Sequence, residues 1–441
     1  LQIDATRILE IGGGDGFNLI ALAAAFPRTQ FFNFDLSTAA VARGGSLADA
    51  AGLTNIRIVQ ADVLDMAAHI EPASYDYIIA HGVYAWVPAS VRAAIMALVG
   101  RALAPEGVFF VSYNALPGGH VRQVMRDMLL HGLTDVHGIE ARISAARAFL
   151  EDHARPRQGD DAVITAMRSQ AVAMLDRPYA VLFHDELGEC FAPQSLADVV
   201  SAAAAHGLEF LNDSGKNRLG DGFLPDDLAG APDATALVVR RAQSDDFAAM
   251  RFFRQSLFVR AGRNPARRPQ LAQWSSCQVA GQFVAAEDGG IQAGDVTFAL
   301  SDAAFSQQLL DLGAAWPAHR PLAAIADNED RLEAVHRLFA MGLLHVSTVR
   351  APFTLTPPDR PLVSPLARAQ IALGAADVTT LHFEQMRIED PAARALLLLL
   401  DGMRDHATLE AEWQAIPHDP SITLAIALRM ITTQRLMLAN G

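Results

Sequence analysis

Short apolar runs alternate with amphipathic stretches through the first quarter of the chain. Arg7–Ile11 is an apolar run that ends in glycines, and Phe17–Phe26 reads as a helix. Gln30–Leu36 and Thr38–Ala51 repeat the pair, strand then helix. Ile56–Gln60, Tyr75–Ala80 and Gly107–Tyr113 add three strand candidates, with helix Ser90–Ala104 between the last two. Strands alternating with helices of this length predict βαβ units, and so a parallel sheet covered on both faces.

Beyond Pro117 the period changes. Val121 to Met174 carries helical patterning without a strand candidate, and helix Pro193–His206 stops at Gly207, a residue suited to ending a helix. Leu208–Asn212 and Phe253–Val259 then read as late strands that complete the same sheet, with Val121–Phe191 and 213–251 as helical insertions; a separate helical domain is the alternative. A polar stretch, Arg260–Pro269, reads as a linker. After it comes a weak internal repeat. Val296–Leu300, Asp302 and a helix through Leu309–Leu310 correspond to Gln385–Ile388, Asp390 and a helix through Leu397–Leu398. Each copy ends in an apolar segment, Leu343–Val346 or Leu436–Leu438, and both read as small, mostly α modules of winged-helix type. The resulting partition is 1–120, 121–262, 263–350 and 351–441.

Composition narrows the function classes. Of 441 residues 51% are hydrophobic and 19% charged, which excludes a disordered chain. The longest apolar candidates, such as Leu19–Phe26, fall well short of the ~18–20 residues of a membrane span. Two cysteines, Cys190 and Cys277, make neither a disulfide scaffold nor a zinc site of their own, and fit a reducing, cytoplasmic setting. The net charge of −14 disfavours nucleic acid and anionic membranes as partners, although Arg251–Arg268 forms a local basic candidate. Lys216 is the single lysine, a bias expected of a GC-rich genome. The chain opens at Leu1 without a signal-peptide pattern and reads as shortened at its start.

The most informative segment is Glu10–Asn18, with glycines at 12, 14 and 16 behind an acidic residue. At a strand-to-helix turn such glycines permit positive φ and close approach of a ligand to the backbone. A dinucleotide fingerprint would need glycine at 17, where Phe17 stands, so GxGxG favours a nucleoside with an uncharged, sulfur-containing tail over one with a pyrophosphate. Asp35 ends the second strand, where a carboxylate can accept from ribose hydroxyls, and Asp62 follows the third, placed for an adenine amino group. Alone, each is more often a loop or capping aspartate. Acidic residues at the ends of strands one, two and three, in order, point to one crevice.

With these residues the chain resembles the class I S-adenosylmethionine (SAM)-dependent methyltransferases, and more narrowly the bacterial proteins that join such a core to a methyltransferase regulatory domain, rickettsial-type protein lysine methyltransferases among them. The carrying segments are Glu10–Asn18, Asp35-Leu36-Ser37, Ala61-Asp62, His81–Pro88 and Ser112–Gly118, then Leu182–Leu187, Ala204–Leu208, Arg251–Leu257, Ser364–Arg368 and Leu400–Gly402. The resemblance implies a Rossmann-like α/β sheet with helical insertions and C-terminal winged-helix-like modules. It implies SAM as cofactor, held by Glu10, Gly12, Gly14, Gly16, Asn18, Asp35, Leu36, Asp62, Val63 and His81. His81, Tyr84, Trp86, Tyr113 and Asn114 become the candidate catalytic set: aromatic faces that attract a cation and depress an acceptor's pKa, and a histidine able to pass a proton outward. His120 and His184 are weaker candidates, better read as a helix-start and a packed or capping histidine. Gly13 stands where the family often carries cysteine, and the family usually has helices before the first strand that help to close the cofactor site. The implied acceptor is a protein lysine, and the implied assembly a homodimer. A small-molecule methyltransferase and a non-catalytic scaffold are the alternatives.

Overall fold

A computed structural model describes the chain apart from residues 1, 2, 4, 67, 160, 216–221, 269, 440 and 441. Lys216, and Pro269 at the end of the expected linker, lie outside the described residues. The first unit runs β1 (Arg7–Ile11), α1 (Phe17–Ala25), β2 (Gln30–Asp35), α2 (Thr38–Ala50), β3 (Ile56–Gln60), α3 (Val63–Met66), β4 (Tyr75–Ala80), α4 (Ala89–Ala102) and β5 (Leu103–Asn114). β1, β2, β3, β4 and β5 pair in parallel. Ile8, Leu9 and Ile11 are all buried, as a strand covered on both faces requires.

Helices α5 (Gly118–Gly132), α6 (Ile139–Ala154) and α7 (Ala162–Leu175), with the short α8 (Tyr179–Val181), pack on one another around Met125, Leu129, Ala146, Leu150 and Met174. Next come α9 (Leu196–Ala204), β6 (Leu208–Asp213), α10 (Asp226–Ala229), α11 (Ala234–Ala248) and β7 (Phe253–Arg260). The late strands join the first sheet, so the order is β3-β2-β1-β4-β5-β7-β6. β7 runs antiparallel to both β5 and β6. The helical insertion has a small core of its own, but the strands after it belong to the main sheet. The helix expected from Pro193 starts later, capped by the Ser195 side chain on the Asp198 N–H. Gln194 is instead extended beside Ala115, its N–H donating to Asn114 O.

The stretch after β7 is no free linker, and of the arginines in the basic candidate Arg251, Arg254 and Arg267 are buried while Arg263 and Arg268 are exposed. Arg260 donates to Gly100 O and Leu103 O, carbonyls at the end of α4 that have no partner inside the helix. Arg267 is buried and donates to Phe210 O and Leu211 O. Arg254 is buried between Asp246 and Asp213. Local charge here ties β6, β7 and α11 together instead of facing a ligand.

Two smaller units follow, each with its own core. In both, a hairpin strand leads to an aspartate that caps a helix. Val296–Phe298 precedes Asp302, which caps Ala303–Ala314, and Gln385–Arg387 precedes Asp390, which caps Pro391–Leu399. The repeat seen in the sequence is therefore a repeat of local structure. The second unit packs against the first domain, Leu366 of helix Pro365–Ala372 entering a core with Ile20, Ala21, Ala24 and Ala48 on α1 and α2.

Candidate active site

In a doubly wound sheet, ligands bind at the carboxyl ends of the strands where the order reverses. Here that point lies between β1 and β4, and the loop Gly12–Gly16 opens onto it. Gly12, Gly14 and Gly16 all have positive φ, between 59° and 68°. A Cβ on Gly12 would press on Val83, and one on Gly16 on Asn33 and Ile58, whereas one on Gly14 would meet nothing within 4 Å. Gly14 thus presents bare backbone to open space.

Carboxylates surround this loop. Asp35 accepts the Gly14 N–H on Oδ2 at 2.9 Å and the Ser37 N–H on Oδ1 at 2.8 Å. Each oxygen has a second lone pair with which to accept from a ligand. Glu10 is only 3% exposed and accepts from Asn18 Nδ2 at 3.3 and 3.4 Å. Burial is the main cause that raises its pKa to about 7, against the lowering effect of Asn18. Asp62 accepts the Leu64 N–H at 2.9 Å and so caps α3 with one oxygen, while Val63 is buried beside it. Leu36, 66% exposed just past Asp35, is an apolar surface suited to the face of a purine. Bare backbone at Gly14, hydroxyl-accepting Asp35 and this apolar ledge fit SAM.

The catalytic candidates divide between the two faces of the sheet. His81 lines a trough of about 710 Å3 together with Asn18, Ile79, Phe110 and Leu257. Its Nδ1 is 2.8 Å from Ser112 Oγ, its ring lies 5.8 Å from that of Phe110, and desolvation lowers its pKa. Tyr84 is buried, and desolvation pushes its pKa up to about 12. Tyr113 is 1% exposed, with its hydroxyl 3.1 Å from Ser256 Oγ, and lies behind Tyr84 at 6.3 Å between centroids. As placed, Tyr113 supports the wall of the site and has no surface to offer an acceptor. Asn114 is buried at the end of β5, its carbonyl engaged by Gln194.

Trp86 is also engaged. Its ring lies 4.9 Å from that of Phe191 and 4.9 Å from the guanidinium of Arg122. Arg122 is itself buried and paired with Glu186 at 2.5 Å and Asp185 at 3.2 Å. The cation over Trp86 therefore comes from the helical insertion of the same chain. His120 is exposed on the first turn of α5, and His184 is an exposed neighbour of Asp185. Sequence reading missed Ser112, Arg122 and Asn33. Asn33 is fully buried in β2 and donates to Gly14 O at 3.2 Å. A side chain at position 13 would collide with Asn33 Oδ1 and Glu10 Cγ, so Gly13, where the family often has cysteine, goes with Asn33 beneath it. Polar residues interrupting apolar strands, Asn33 in β2 and Ser112 in β5, were the available signal.

Family comparison decides the class. Residues 8–107 match a methyltransferase domain, 178–260 a predicted methyltransferase regulatory domain, and 359–425 the C-terminal winged helix domain of PKMT. The chain carries the domains of a SAM-dependent methyltransferase. Its fold is that of PKMT2 from Rickettsia typhi, a structure also solved in complex with AdoHcy. The TM-score is 0.77 at 19% identity, over 100% of this chain and 95% of that one. Among curated proteins, RP789 of Rickettsia prowazekii is 29% identical over 262 residues, 58% of this chain and 46% of the relative. RP028 of the same organism is 34% identical over 128 residues, 29% of this chain and 50% of the relative. A tRNA (guanine-N(7)-)-methyltransferase of Bifidobacterium longum is 31% identical over 129 residues, 28% of this chain and 45% of the relative. The chain thus spans about half the length of these curated relatives. Among the described residues no cluster of side chains is arranged for a metal ion, and no helix is long and apolar enough to cross a membrane.

Proposed function

We propose that the chain binds SAM in the β1–β4 crevice and transfers its methyl group to lysine side chains of a protein. The observation that carries the SAM reading is the open Gly14 backbone tied to the Asp35 carboxylate, with Glu10 and Asp62 at the neighbouring strand ends. Support for a protein lysine acceptor is the co-occurrence of a PKMT winged helix domain with the methyltransferase and regulatory domains.

Bound SAM would supply a methyl group on a cationic sulfur, which leaves as the neutral thioether when a neutral nucleophile attacks the methyl carbon in line. The chain's part is alignment. Asp35 would accept the ribose hydroxyls, Asp62 with Leu36 would receive the adenine, and Glu10 with Asn18 would set the amino-acid end. Tyr84, 2% exposed and backed by Tyr113, seals the core behind the acceptor side; an amine held in that apolar neighbourhood would have its pKa lowered from its usual value near 10.4. Acid–base demands on the protein are small in such a displacement.

The test is incubation of the purified chain with methyl-labelled SAM and a bacterial lysate, followed by mass spectrometry of the labelled species. Label on protein lysines supports the proposal. Label confined to tRNA or to small metabolites overturns the acceptor, and absence of label with intact AdoHcy binding points to the scaffold alternative.

A further inference from the structure

Ser112 lies on β5 with its side chain fully buried. Its hydroxyl has two neighbours, the Gly82 N–H at 2.9 Å and His81 Nδ1 at 2.8 Å. A hydroxyl has one proton to donate and lone pairs that accept, while a backbone N–H only donates. Oγ is therefore the acceptor toward Gly82. Its own proton then needs an acceptor, and among the described contacts His81 Nδ1 is the group it meets.

We infer that Ser112 is a positioning residue that fixes His81 as the neutral tautomer, with Nδ1 unprotonated and the proton on Nε2. The site then offers a hydrogen-bond donor at the mouth of β4, not a base. The opposite tautomer would aim two N–H groups at one oxygen and leave the hydroxyl proton buried without a partner, which disfavours it by about tenfold or more. Desolvation lowers the His81 pKa, which agrees with a neutral ring. Gly82 takes part through its backbone, at φ 71°, which turns its N–H onto the same oxygen.

The consequence for chemistry rests on the proposed SAM site. An Nε2–H in the trough that Asn18 also lines suits the carboxylate of an amino-acid tail, because it donates to an anion without competing for protons. The lone pair that could take a proton from an acceptor amine sits on Nδ1 and is engaged by Ser112. His81 thus orients, and the acceptor loses its proton elsewhere.

Long-range proton–nitrogen correlation spectra of the full chain, labelled at histidine and recorded without ligand near neutral pH, test this directly. H81Q identifies the relevant signals among the 14 histidines. The wild type is expected to show a bare, hydrogen-bonded Nδ1 and a protonated Nε2. S112A should give a tautomer mixture and weaken AdoHcy binding about 3- to 10-fold in calorimetry, and S112T should restore both. A protonated Nδ1 in the wild type, or an S112A spectrum identical to it, overturns the inference. Because the spectra need no ligand, failure of the wild type to bind AdoHcy would refute the SAM reading while leaving the tautomer result standing.

Discussion

The N–H of Gly14 donates to Oδ2 of Asp35 across 2.9 Å, so the glycine loop is held in shape by the acid that ends the next strand. Asp35→Ala removes both this brace and a hydroxyl acceptor. A charge-assisted hydrogen bond contributes about 1.5–3 kcal/mol, so AdoHcy affinity should fall about tenfold or more in calorimetry. Gly14→Val should do the same, since φ 59° strains a β-branched residue and its side chain would fill the open space. Unchanged affinity in both variants would remove the loop from the cofactor site.

Glu10 makes stability depend on pH in a defined direction. Its folded pKa of about 7 lies above the ordinary 4.5 because the carboxyl is buried. The folded state therefore holds a proton that the unfolded state has lost between these values, and stability falls as pH rises through that window. The full difference is about 3 kcal/mol by linkage. Glu10→Gln keeps an acceptor for Asn18 and should flatten the stability profile between pH 5 and pH 8 in denaturant titrations. A profile as steep as the wild type's would show that another group titrates.

Arg122 and Glu186 form a buried pair that reaches Trp86. Arg122→Ala strands a fully buried carboxylate, and loss of one partner of such a pair costs about 3–5 kcal/mol. Arg177, 3.5 Å from Glu186, should hold the loss near the lower figure. The Arg122→Ala/Glu186→Gln double variant should recover part of it. Strictly additive losses in urea unfolding would mean that the pair is uncoupled.

Tyr113→Phe deletes one buried hydrogen bond to Ser256, worth about 1 kcal/mol. Turnover should change by less than about twofold, because the hydroxyl faces the core. A large fall in kcat with KM unaltered would return Tyr113 to the catalytic groups.

The sheet, its order of strands and helices, and the glycine–acid crevice were legible because each is written locally: apolar runs, a strand-to-helix turn, an acid at a strand end. The strands Arg7–Ile11, Ile56–Gln60 and Tyr75–Ala80 have the limits that the pattern predicts. What stayed hidden was set by facing. On β5, Phe109, Val111 and Tyr113 alternate with Phe110, Ser112 and Asn114, and the first three turn into the main core. Strict alternation would have placed Tyr113 with the core and Ser112 with His81. The fate of Trp86 was harder to read, since the cation above it comes from α5 and that cation's partners come from residues 185 and 186. No spacing rule joins three such distant segments.

The place of β7 beside β5 has a consequence for how the molecule is made. β5 is complete at Asn114, yet the strand that covers its outer edge begins only at Phe253. At a synthesis rate of ~5–20 residues per second, the nascent chain carries a raw ribbon of unpaired peptide groups for on the order of ten seconds. Helices α5 to α9 emerge in that interval, and Gln194, just ahead of α9, is the nearer partner for the strand's end, its N–H donating to Asn114 O in the folded chain.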